Sequence, residues 1–397
     1  MSSRTVTAQD LIAAAEKTTG MNQWGEQDFR TGLQLLLDTM QREARLSDLG
    51  RERMLSRIDG LLCNRLRIYD WRARHPEVAQ QTITRPIFIL GLPRSGTSNL
   101  LSLLSFDPAH RVPRMWEIFR SVPPPSRDTY ETDPRIAEVQ NQLMSDGFGS
   151  EGLQATHPFD SRLPEECGFI FEHTFACMVF PAYINIPTFA KYAMDDADWR
   201  GVYGFHQQFL QNLQANYAGE RWVLKTPEHS HFLPDLLATY PDAILLYTHR
   251  APAQIMSSLA SNITELRKLW SDQVDPKEVA ASFLAAEAEG SRRMVEARKD
   301  PAVDSHFYDI EFQDLIQQPV ETMRRLYARF DLPFTDATQR GLQHYADNEA
   351  KKTHGHGKHK HSLSDVGYSA DEIDTAFKPY LDWYARKHES FRLPSAR

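Results

Sequence analysis

Apolar positions along this chain follow two rhythms, and the change from one to the other divides it. In the first 80 residues the rhythm is helical. Leu33, Leu36, Leu37, Met40 and Ala44 recur at three- and four-residue spacing, and Met54, Ile58, Leu61, Leu62 and Leu66 do so again. Ahead of them, Thr7-x-x-Asp10 has the form of a capping box opening a short helix through Lys17. Residues 1–80 are therefore expected to be a helical region whose default role is packing. Covering a site, or contacting a second copy in a homo-oligomer, are the alternatives. From residue 81 the rhythm changes. Residues 87–90 and 243–247 are short apolar runs of the kind buried on both faces of a parallel sheet, and 221–224 and 306–310 have strand length as well. Helix signals follow them. Asp275-Pro276-Lys277-Glu278 combines an N-cap, a proline at N1 and a glutamate at N3, and opens a helix to about Arg298. Pro319 opens another through Arg329. Ser369-x-x-Glu372 starts a last one with Ile373, Phe377, Leu381 and Tyr384 on one face, bent at Pro379. The expected fold over 81–397 is α/β: a mostly parallel sheet with helices on both faces.

The first apolar run leads into candidate chemistry. Gly91 ends it, four residues follow, and then come Gly96, Thr97, Ser98 and the apolar Leu100, Leu101, Leu103 and Leu104. Strand, glycine loop and helix N-terminus together point successive backbone N–H groups at one anion. The spacing matches the nucleoside-triphosphatase loop, whose second glycine is followed by Lys and then Ser/Thr to reach the phosphates and Mg²⁺. Here Thr97 stands in the lysine's place and the cation, Arg94, lies inside the loop. A kinase or phosphotransferase on this fold would bind ATP and Mg²⁺, and the missing lysine argues against it.

Charge and composition narrow the partners. A net charge of −8 disfavours a general nucleic-acid surface and leaves room for a local basic pocket. Hydrophobic residues at 41% and charged residues at 25% are ordinary for a soluble globular chain. Cys63, Cys167 and Cys177 are odd in number and lack CxxC spacing, which points to a reduced compartment without structural zinc. Residues 1–10 hold no apolar run of a secretion signal. Residues 169–189 are the most membrane-like, but Glu172, His173, Pro181, Asn185 and Pro187 interrupt them, so no spanning helix is expected. A cytoplasmic location is the expectation.

Pro93-Arg94-Ser95-Gly96-Thr97 resembles the 5′-phosphosulfate loop of sulfotransferases that use 3′-phosphoadenosine-5′-phosphosulfate (PAPS). The resemblance runs on to the C-terminus and is closest to bacterial sulfotransferase-domain proteins with an extra helical N-terminal region. It implies a P-loop-like α/β fold and transfer of a sulfuryl group from PAPS to a hydroxyl of a small acceptor. The desulfonated 3′-phosphoadenosine-5′-phosphate (PAP) is the second product, and no metal is required. By resemblance, Arg94, Ser95, Gly96, Thr97 and Ser98 cradle the 5′-phosphosulfate, and Lys225 with Arg94 offsets charge on the leaving phosphate. An acidic base lies beside the loop in relatives, and Glu117 in Arg114-Met115-Trp116-Glu117 is the candidate. Some relatives instead carry a Lys-Thr-His run whose histidine is the base. In Lys225-Thr226-Pro227-Glu228-His229, Pro227 occupies that position and His229 follows two residues on, so Glu117 and His229 both stand as base candidates. Arg250 and Ser258, eight residues apart, match the pair that holds the 3′-phosphate, and a guanidinium fork suits that role. Tyr308 and Phe312 are near the adenine by resemblance, with neither assigned. Lys358 and Lys360, among four closely spaced histidines, match a basic loop that closes over the phosphates; metal binding by those histidines is the weaker reading. Glu165 and Glu166 are adjacent carboxylates ahead of an aromatic run from Phe169 to Phe189, which reads either as core or as the apolar wall of an acceptor pocket. A non-catalytic relative would show nucleotide affinity without turnover.

Overall fold

Five short parallel strands form one sheet in the order β2-β3-β1-β4-β5 in the computed structural model, which describes residues 6–156, 158–349 and 362–387. β1 is Ile87–Gly91, β2 His110–Arg111, β3 Arg221–Lys225, β4 Ile244–His249 and β5 Phe307–Glu311. Successive side chains of a strand point to opposite faces. Ile87 and Ile89 accordingly join Val223, Leu246 and Ile310 in one apolar cluster, and Phe88 and Leu90 join Leu224 and Leu245 in another. Both faces are dry, which is why these strands read as unbroken apolar runs. Helix α4 (Thr97–Ser105) follows the glycine loop and buries Leu100, Leu101, Leu103 and Leu104 against the Ile87 face.

Helices α1 (Ala8–Thr19), α2 (Arg30–Arg42) and α3 (Asp48–Arg74) bury their apolar stripes in the cluster on the Phe88 face. Thr7 and Asp10 form the expected capping box of α1. From α3, buried Arg57 grips Glu172 with two hydrogen bonds of 3.1 and 2.5 Å, and Arg65 donates to the His173 carbonyl at 3.0 Å. A buried pair of this kind fixes orientation more than it adds stability. It holds the 165–189 stretch between the N-terminal helices and the sheet.

Two details differ from the sequence expectation. The last helix is not one bent rod: the chain forms Ala370–Ala376 and then Lys378–Lys387, with Pro379 in the first turn of the second piece, where its missing N–H is not needed. The stretch after α4, where the apolar pattern predicts no strand, contributes the edge strand β2, whose two residues are too few to leave a pattern. No helix among the described residues is long and apolar enough to cross a membrane. Lys358, Lys360 and the neighbouring histidines lie outside the described residues.

Candidate active site

β1 has β3 on one side and β4 on the other, so the chain order reverses there, and ligands of open α/β sheets bind beyond the carboxyl ends of the strands at such a point. The glycine loop leaves β1 at this edge. Gly91, Arg94 and Gly96 have φ of +126°, +68° and +98°, the left-handed region. A Cβ on Gly91 would lie 2.5 Å from the Thr248 hydroxyl on β4, and one on Gly96 would lie 2.9 Å from the Phe312 ring, so only glycine passes both places. Ser95 is turned inward. Its hydroxyl meets the Leu92 carbonyl at 2.5 Å and the Thr248 hydroxyl at 2.6 Å, so its side chain shapes the loop and faces no ligand space.

The cations converge on the loop from different strands. Lys225 ends β3; its ammonium is buried and donates to the Ser98 hydroxyl at 3.1 Å and to the Glu166 carboxylate. Arg250 follows β4, donates to the Arg94 carbonyl at 2.9 Å, and stacks on Phe312 at 4.4 Å from the ring centroid. Arg94 Nε donates to the Ser258 hydroxyl at 3.2 Å. Burial pulls both guanidiniums below the usual arginine value, and the charge of Arg94 depresses Arg250 further. Arg250 has no carboxylate opposite it among the described residues, and its Nε is buried without a hydrogen-bond partner. Two cations brought together at a glycine loop in this way fit an anion with more than one charge.

Arg94, Gly96, Ser98, Lys225, Arg250, Ser258 and Phe312 line one cavity of about 430 Å³, and Gly91, Ser95 and Thr248 do not. Its other half is built from helices: Phe169, Met178 and Tyr183 from the 165–189 stretch, Ile263 from the helix Pro252–Arg267, and Phe283 from the helix Pro276–Ala297. The aromatic run therefore divides. Phe169 and Tyr183 face the cavity, and Phe171, Phe175, Phe180 and Phe189 are core. Phe312 lines the cavity and Tyr308 does not.

Neither expected base stands at the cavity. Glu117 is fully buried; its carboxylate takes the Arg111 guanidinium at 2.7 Å and the Arg114 backbone N–H at 3.0 Å, which caps the helix Met115–Phe119. His229 is also fully buried. It bonds to the Tyr203 hydroxyl at 2.9 Å and packs edge-on to Phe88 and Phe171, and burial pushes its imidazole well below the usual value. Of the adjacent carboxylates Glu165 and Glu166, both of which line the cavity, Glu166 is the one paired with Lys225. The Cys167 N–H donates to the Lys225 carbonyl at 2.8 Å, which hangs this segment on the end of β3 and brings Glu166 to the Lys225 ammonium. Its second oxygen lies 3.4 Å from the Thr226 hydroxyl. Glu228 and Glu287 also line the cavity. No sequence pattern marks Glu228, but Glu287 leaves a signal: it falls on the buried stripe Ala280, Leu284, Glu287, Ser291, Met294, where an apolar residue is expected.

A parallel α/β sheet with a glycine loop and converging cations at its switch point is an arrangement that can hold an anion. The chain belongs to the sulfotransferase family, whose sequence profile matches residues 86–336. It is similar to the crystal structure of sulfotransferase STF1 from Mycobacterium tuberculosis H37Rv, with 30% identity and a TM-score of 0.82, covering 94% of this chain and 98% of that one. Sulfotransferase STF9 from Mycobacterium avium superimposes over the full length of both chains with a TM-score of 0.85 at 25% identity. The omega-hydroxy-beta-dihydromenaquinone-9 sulfotransferase of Mycobacterium tuberculosis is 24% identical over 287 residues, 68% of this chain and 69% of that protein.

Proposed function

We propose that this chain transfers a sulfuryl group from PAPS to the hydroxyl of a small, largely apolar acceptor. The observation that carries the reading is Arg250, half-buried beside Arg94 at the glycine loop, with no carboxylate opposite it among the described residues and with a buried Nε that has no partner among them. Bound PAPS would supply the activated sulfuryl group on a 5′-phosphate leaving group. The backbone N–H groups of residues 94–97, the Thr97 hydroxyl and the Ser98 hydroxyl would hold the 5′ end at the N-terminus of α4. Arg250 and Ser258 would hold the 3′-phosphate. The apolar half of the cavity would take the body of the acceptor. That half agrees with the mycobacterial relative, whose name gives a hydroxylated menaquinone as its substrate.

Glu166 replaces Glu117 and His229 as the proposed base, because it alone of the three reaches the cavity and stands on Lys225. The acceptor oxygen would bond to sulfur and pass its proton to Glu166. The bond from sulfur to the bridging oxygen would break, leaving its electron pair on the 5′-phosphate. Lys225 and Arg94 would offset that charge as it develops. The products would be the sulfate ester and PAP.

The test is direct. PAP should raise the melting temperature in the presence of EDTA, as a ligand selective for the folded state does, and PAPS with a panel of hydroxylated amphiphiles should yield a sulfate ester by mass spectrometry. A larger shift with ATP and Mg²⁺ than with PAP would overturn the reading in favour of a phosphotransferase. PAP binding with no transfer to any acceptor would leave a nucleotide-binding relative.

A further inference from the structure

The acceptor half of the cavity is apolar but not neutral. Glu228 and Glu287 line it at 5% and 7% exposure. Glu228 lies in the turn Pro227–His231 just after β3, and Glu287 on the long helix Pro276–Ala297 that packs against that turn. One oxygen of Glu228 accepts the Met178 N–H. The other is buried with no hydrogen-bond partner. Among the described residues, neither carboxyl has a salt-bridge partner. The cations that line the cavity are spoken for elsewhere: Arg94 and Arg250 stand at the glycine loop, and Lys225 is held by Glu166. His231, beside them, is pushed down to about 4 by burial and carries no charge at neutral pH.

A buried carboxyl with no cation beside it, and with one oxygen left unpaired as in Glu228, destabilises a fold, and natural proteins leave few such groups unless a ligand completes them. An apolar side chain on the 276–297 stripe, or a lysine at position 263 or 283, would remove the problem. The chain does neither. Resting on the sulfotransferase reading above, we propose that the acceptor is an amphiphile carrying a protonated amine, which is seated against Glu228 and Glu287 while its hydroxyl faces Glu166. A neutral prenyl or sterol alcohol would leave both carboxyls unmatched. Burial and the neighbouring charge of Glu166 push both up to about 8, with the charges of Glu287 and Glu172 adding for Glu228. An arriving ammonium favours their charged forms and so drives a proton off the protein.

The probes are octylamine and 1-octanol, titrated calorimetrically into protein saturated with PAP at pH 7.5. The amine should bind at least tenfold more tightly, at one site per chain. Its heat should change with the ionisation enthalpy of the buffer, which reports proton release. The Glu228→Gln/Glu287→Gln double variant should bind the two probes equally while binding PAP as the parent does. Equal affinities in the parent, no proton release, or a preference that survives in the double variant would overturn the proposal. The release measurement needs no variant and stands even if the double variant fails to fold. Failure of PAP itself to bind is read separately, and would strike the sulfotransferase reading and this inference with it.

Discussion

Arg250 and Glu228 share one cavity, and each has a buried polar atom without a partner among the described residues, but the two differ in sign and in support. Arg250 leaves the end of β4, braced by the Arg94 carbonyl and the Phe312 ring. Glu228 sits in a single turn, with one backbone N–H on it and a second carboxyl, Glu287, approaching from a helix. The donor half collects cations at the edge of a rigid sheet. The acceptor half collects carboxylates on helices and turns. What each half lacks is the chemical complement of what it would bind: a polyanion on one side, a donor or cation on the other. On the proposed function the sheet edge would hold the sulfuryl donor and the helical half the acceptor.

The sharpest way to break this comparison is to exchange the assigned roles of two glutamates. Glu166→Gln should lower kcat by about 10²-fold, the usual scale for losing a general base, with PAP affinity and melting temperature close to the parent's. Glu117→Ala should do the reverse. It leaves the buried Arg111 guanidinium uncompensated, which destabilises by about 3 kcal/mol or more, while the protein that stays folded keeps its turnover. Steady-state kinetics and thermal unfolding on both variants decide it. A loss of kcat in a well-folded Glu117→Gln protein, with Glu166→Gln active, would return the base to the position that family resemblance suggested.

The same division explains what was legible beforehand. The parallel sheet was readable because Ile87, Phe88, Ile89 and Leu90 are buried on both faces and leave no polar interruption. The loop was readable because Gly91 and Gly96 are forced by contacts at 2.5 and 2.9 Å. The acceptor half left no such spacing. Glu166 reaches its place through a backbone bond between Cys167 and Lys225, 58 residues away in sequence, and no local pattern encodes that contact. Glu117 misled for a related reason. A Trp-Glu beside the loop looks the same whether its carboxylate enters the cavity or turns back onto Arg111.

A second prediction sharpens the donor half. The 3′-phosphate is the feature that separates PAPS from adenosine-5′-phosphosulfate. If Arg250 is held for that phosphate, Arg250→Ala should weaken PAP by about one to two orders of magnitude, since a hydrogen bond to a charged group contributes roughly 1.5–3 kcal/mol. The weak binding of adenosine-5′-phosphosulfate should barely change. Calorimetric titration of both nucleotides into both proteins provides the comparison. Equal losses would mean that Arg250 serves the loop, through the Arg94 carbonyl, rather than the ligand.

The smallest effect is the most specific to the acceptor half. A solvated glutamate titrates near 4.5, and burial together with the neighbouring carboxylates pushes Glu228 in the folded protein up to about 8. Below about pH 4.5 the folded and unfolded chains both keep this proton, and the group leaves stability unchanged. Between about 4.5 and 8 the unfolded chain loses the proton and the folded chain retains it, so the folded state binds more protons and stability falls as pH rises. Above about 8 both forms are ionised and the full penalty persists. Glu228→Gln has no such proton to lose. Its melting temperature should match the parent's near pH 5, pull ahead through neutrality, and level off at an advantage of about 2 °C or more by pH 9. Adding octylamine together with PAP should shrink that advantage by stabilising the parent and not the variant. A difference that stays flat from pH 5 to 9 would mean that Glu228 is already ionised and paired in the folded protein. The acceptor half would then lack nothing, and the contrast with Arg250 would dissolve.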